Sequence, residues 1–113
     1  MIIGLLPDEL TTETLLNNLA EAEFNLQDVS VIRRDRQSSA VESDTGGPLK
    51  GTPLAKLADR LAEAGVAPPD AQLYVEAIQH GAVLVAIAVP KSIEAVAREM
   101  LQDHDAQLIQ GVP

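Results

Sequence analysis

An α/β sandwich, with helices packed on one sheet, is the fold class that the sequence predicts, and three observations predict it. Two short apolar runs end at proline, Ile2–Leu6 before Pro7 and residues 82–89 before Pro90, and their continuity is that of strands buried on both faces. Each is followed by apolar residues at helical spacing. Between them lies a further pair of segments with the i, i+3, i+4, i+7 pattern, so helices and strands alternate along the chain.

The elements follow in order. Ile2–Leu6 is the first strand, closed by Pro7. Thr11 or Thr12 can cap the helix that follows, whose apolar face is Leu15, Leu16, Leu19 and Ala22 with Glu13, Glu21 and Glu23 opposite, and which ends near Phe24 and Asn25. Residues 29–32, dense in β-branched side chains, run into Arg33 and Arg34 as a second strand. From Asp35 to Thr52 the chain is polar and without periodicity, which predicts a mobile loop over residues 35–52. Pro53 suits the first position of a helix with the face Leu54, Leu57, Ala58, Leu61 and Ala62, closing at Gly65. Pro68, Pro69 and Asp70 start another, with the face Ala71, Tyr74, Val75 and Ile78, ended by His80 and Gly81. These two make a helical hairpin over residues 53–80. Residues 82–89 form the central strand. Ile93, Val96, Ala97, Met100 and Leu101 then stripe a helix whose Glu94, Arg98 and Glu99 face water, and residues 106–109 are the last strand.

Strand, helix, strand, insertion, strand, helix, strand is a ferredoxin-like βαββαβ plan with a helical insertion between the second and third strands. The first and third strands, being the two continuous apolar runs, belong at the centre of the sheet. The length of 113 residues fits one domain, 1–113.

A net charge of -9 repels phosphate backbones and anionic lipid, so the sequence predicts no nucleic acid and no membrane, and leaves proteins or small molecules as partners. The absence of cysteine excludes a disulfide framework, a thiolate nucleophile and thiolate zinc, and agrees with a cytoplasmic setting. The start of the chain lacks a basic segment, and Asp8 and Glu9 follow too soon for a secretory signal; no apolar run reaches membrane-spanning length.

Two stretches carry a resemblance. The run Asn18-Leu19-Ala20-Glu21-Ala22-Glu23-Phe24-Asn25-Leu26-Gln27-Asp28-Val29-Ser30-Val31-Ile32, and the run Gly65-Val66-Ala67-Pro68-Pro69-Asp70-Ala71-Gln72-Leu73-Tyr74-Val75-Glu76-Ala77-Ile78 with Gly81-Ala82-Val83-Leu84-Val85-Ala86, resemble the two signatures of the small bacterial general-stress-protein family of the heat-induced type. That resemblance implies a ferredoxin-like fold and no established enzymatic activity. Two departures stand out. Glu23 occupies a place where the family often has glycine, and the insertion carries Glu42, Asp44, Lys50, Lys56, Asp59, Arg60 and Glu63 where relatives are apolar, which argues against a membrane role.

Candidate chemistry is sparse. His80 and His104, the only imidazoles, fall in the last turns of predicted helices, where a histidine serves the exposed carbonyls, and metal-ligand spacing is missing. Asp103, His104 and Asp105 are adjacent on a helix end and point apart, as a solvated terminus does. Asp44-Thr45-Gly46 matches the aspartic-protease tripeptide but lacks the preceding apolar strand, and Gly46, Gly47, Lys50 and Gly51 lack the order of a phosphate loop. Arg33, Arg34 and Arg36 are the one basic cluster, a candidate anion or partner site beside a polar loop as in PII-type signalling proteins, or a solvated strand end paired with Asp35. Both faces of the central strand are apolar, so the inserted helices or a second subunit must cover the face that the two crossover helices leave. The expectation is a non-enzymatic, stress-associated interaction or regulatory module, forming a homo-oligomer (dimer), with no cofactor, metal or catalytic residue; the alternative is a small-ligand or anion sensor of the PII or ACT type.

Overall fold

The computed structural model describes residues 1–34, 41–43 and 54–112. They form an α+β fold whose elements, in chain order, are β1 (Ile2–Leu6), α1 (Glu9–Glu21), a 3-10 turn (Leu26–Asp28), β2 (Val29–Arg34), β3 (Val41–Ser43), α2 (Leu54–Ala64), α3 (Pro68–Gln79), β4 (Val83–Ile87), α4 (Lys91–Asp103) and β5 (Gln107–Gly111). The sheet runs β3-β2-β4-β1-β5, with every neighbouring pair antiparallel. β4 is its middle strand and β1 is beside it, as their uninterrupted apolar runs require.

The pleat sorts the two apolar runs into two cores. Ile2 and Leu6 of β1, Val29 and Val31 of β2, and Val83, Val85 and Ile87 of β4 pack with Leu15 and Leu19 of α1 and Ala97 and Leu101 of α4. On the other face Ile3, Leu5, Ile32, Leu84 and Ala86 meet Leu57 and Leu61 of α2 and Ala71, Tyr74 and Ile78 of α3. The inserted helices are therefore what covers the second face of the sheet.

Several expectations need correction. The cap of α1 is Asp8, not Thr11 or Thr12: its carboxylate accepts from the Thr11 amide at 2.7 Å, while the Thr12 hydroxyl donates to the Asp8 carbonyl at 2.8 Å. α1 stops at Glu21, and Ala22 and Ala62 are exposed rather than part of apolar faces. β5 sits later than residues 106–109. Between its pairs with Leu5 and Ile3, β5 runs from Gln107 to Gln110, one residue more than β1, so the strand bulges at Leu108, whose φ is 52°. Glu94 is half-buried, its carboxylate filling the space that a Cβ on Gly111 would take. Val41–Ser43, inside the expected loop, pairs with Ile32, Arg33 and Arg34; the rest of residues 35–52, and Pro53, lie outside the described residues.

Candidate functional site

The site is set by how helices end. In each of the four described helices, the residue after the C-cap donates its N–H to a carbonyl three back and the next residue donates to one five back, the Schellman arrangement. The reversal puts the first of these residues in the left-handed region. Glycine fills that place after α2 and α3, with Gly65 at φ 115° and Gly81 at φ 103°. After α1 it is Glu23, at φ 68°, and after α4 it is Asp105, at φ 61°. At α1 the bonds are Glu23 N–H to Ala20 O at 3.1 Å and Phe24 N–H to Leu19 O at 3.0 Å, and Phe24 packs into the same core as Leu19.

That turn forms one wall of a cleft. The exit of β4 is held against the 3-10 turn by the Ala88 amide, which donates to the Asp28 carbonyl at 2.9 Å, and Pro90 then opens α4. Ala22, Glu23, Phe24, Asn25 and Asp28 on one side face Ile87, Ala88, Val89, Pro90, Ile93 and Val96 on the other, around about 380 Å³. Ile93 and Val96 remain 40% and 48% exposed, although they lie on the stripe expected to be buried. The stripe of α4 is divided: Ala97 and Leu101 fill the core, and Ile93 and Val96 are left at the cleft. Among the described residues that line it, Glu23 and Asp28, both exposed and both acidic, are the only charged ones.

Arg33, His80, His104, Asp103 and Asp105, the described residues singled out for their chemistry, are not among those lining the cleft. The Arg33 guanidinium is 3.7 Å from the Glu9 carboxylate, an exposed pair worth at most about 1 kcal/mol. Arg34 contributes its backbone to β2, opposite Val41, and Arg36, like Asp44-Thr45-Gly46, Gly47, Lys50 and Gly51, lies outside the described residues. Each histidine is a helix C-cap, with Nδ1 2.7 Å from the carbonyl four residues back: His80 on Glu76, His104 on Met100. His104 Nε2 also lies 2.8 Å from the Asn18 side-chain amide, which joins α4 to α1; with Nδ1 donating to the carbonyl, Nε2 accepts from that amide. Asp103 and Asp105 are exposed at that helix end.

Tyr74 is the other polar group of note. Its hydroxyl donates to the Leu108 carbonyl and accepts from Gln110 Nε2 at 2.9 Å, which ties α3 to the bulge of β5. Burial pushes its pKa above the usual phenol value, and the nearby Asp70 charge adds to the effect against the Gln110 hydrogen bond. Among the described residues, no three His, Asp or Glu side chains gather as metal ligands, and no helix is long and apolar enough to cross a membrane.

The cleft was not anticipated from sequence because its walls come from segments that lie far apart in the chain, 22–28 and 87–96. One signal was present: Glu23 stands where the resembled family favours glycine, and the structure shows a backbone that favours glycine there. What fold and site define is an α+β sandwich with both sheet faces covered and an apolar, acid-rimmed cleft at an end of the sheet. No family model matches the chain, and no curated protein or solved structure matches it.

Proposed function

We propose that the chain is a non-enzymatic interaction or regulatory module on a ferredoxin-like βαββαβ core, with α2 and α3 as its insertion. The strand order supports the fold reading: without β3 the sheet is β2-β4-β1-β5, with α1 and α4 sharing one face. The stress-associated, cytoplasmic setting rests on the resemblance of the two signature runs and on the cysteine-free composition. The observation that carries the interaction reading is the exposed edge of α4. With both faces of the sheet covered inside one chain, Ile93 and Val96 still stand open beside the cleft, and apolar side chains grouped at a concave surface mark contact sites.

Two measurements test it. A thermal-shift screen against nucleotides, amino acids and metal ions should leave the melting temperature unchanged, whereas a metabolite that raises it puts the sensor reading first. Selection of a random peptide library on the full chain should yield binders lost on Val96→Asp, a substitution at an exposed position that leaves the core intact. A library yielding no such binder overturns the interaction reading.

A further inference from the structure

We propose that the cleft takes a segment of a partner protein that combines large apolar side chains with lysine or arginine; this rests on the interaction reading above and adds the partner's chemistry. Phe24, Ile87, Val89, Pro90, Ile93 and Val96 give the cleft an apolar lining. Among the described residues its charges are of one sign. Glu23 and Asp28 sit on the wall opposite α4, both exposed, and Lys91, next after Pro90, is not among the lining residues.

Glu23 strengthens the case because two physical terms oppose it. Its φ of 68° lies in the left-handed region, which glycine fills in the same motif at Gly65 and Gly81. A carboxylate just past a helix C-terminus also faces the negative end of the helix dipole. Backbone strain at a non-glycine residue on the wall of a cleft points to a use for the side chain. The parallel residue Asp105 is the control: its φ is 61°, but it lines no part of this cleft, and aspartate enters the left-handed region more readily than glutamate.

Charge also selects among occupants. A second copy seated by two-fold symmetry would set Glu23 and Asp28 against themselves and join two chains of net charge -9. A segment with apolar anchors and cationic flanks meets both the lining and the rim, as in other helix-flanked grooves that read short peptides.

The test uses the peptides selected above. Binders lost on Val96→Asp should be apolar and net positive, and should weaken as salt rises. Glu23→Gly and Asp105→Gly should both melt higher than the parent chain, while only Glu23→Gly weakens the binders, by about two- to five-fold, as loss of an exposed ion pair does. A merely structural Glu23 would move stability and leave binding alone. Cleft-dependent binders that are neutral or acidic, or an affinity unchanged by Glu23→Gly, overturn this proposal while the interaction reading stands. So does a Glu23→Gly chain that melts no higher, or self-association abolished by Val96→Asp, which makes a second copy the occupant. The absence of any Val96-dependent binder overturns both.

Discussion

At Glu23 and Asp105 the chain keeps acidic side chains where the backbone asks for glycine, and the cost is measurable one residue at a time. The left-handed region costs an L-residue about 1–2 kcal/mol, and glycine returns some of that through the greater freedom of its unfolded chain. Glu23→Gly should therefore gain about 1 kcal/mol in urea melts, and Asp105→Gly less, because aspartate tolerates the region better. Asp8 is the opposite case, a polar residue where the helix wants one. The Thr11 amide that its carboxylate accepts lowers the Asp8 pKa below the ordinary aspartate value. A pKa lowered in the folded state adds stability above the unfolded pKa and loses it as pH falls through the folded one. Asp8→Ala should thus lower the melting temperature at neutral pH, with the deficit shrinking below about pH 4; a deficit that persists unchanged in acid would separate the cap from the charge.

Among the elements, β5 has one strand neighbour and a side-chain tie to one helix. It is an edge strand with one side paired to β1, it bulges at Leu108, and its tie to α3 is the Tyr74 hydroxyl. Tyr74→Phe keeps the ring in its core and removes that tie, costing about 1 kcal/mol because water can reach the freed Leu108 carbonyl and Gln110 amide. Amide exchange should quicken in Gln107–Gly111 and stay slow in β4. The elements with strong local signals were legible in sequence: β1 and β4 by unbroken apolar runs, α2 and α3 by stripes that the structure buries at Leu57, Leu61, Ala71, Tyr74 and Ile78. Elements defined by their partners were not. Val41–Ser43 has no pattern of its own and is a strand only through its register with Ile32, Arg33 and Arg34. The position of β5 follows from a bulge that no local residue announces, and the exposure of Ile93 and Val96 is set by the tertiary packing of α4, which buries Ala97 and Leu101 of the same stripe. The same holds for the cleft, which exists only once the segments of Phe24 and Val96 face each other across it.

For the molecule as a whole, the decisive fact is that one strand serves two cores. Leu84 and Val85 are adjacent in sequence, both fully buried, and point to opposite sides of the sheet, Leu84 toward α2 and α3 and Val85 toward α1 and α4. Because one chain covers both sides, neither side offers a route by which a buried charge escapes through loss of a subunit. An aspartate at either place has no partner there and must be neutralised or drive unfolding, at several kcal/mol. Leu84→Asp and Val85→Asp should therefore lower the urea midpoint by similar amounts, each in a single transition. Leu61→Asp should behave like Leu84→Asp, since Leu61 lies in the same core, in the layer that α2 and α3 supply. Sedimentation of the folded fraction should be the same for all three and for the parent chain. A variant carrying Leu84→Asp or Leu61→Asp that keeps the parent stability would show that the α2 and α3 layer lifts away in solution. A change of assembly state with Leu84→Asp alone would make that layer an interface between copies rather than part of one folded unit.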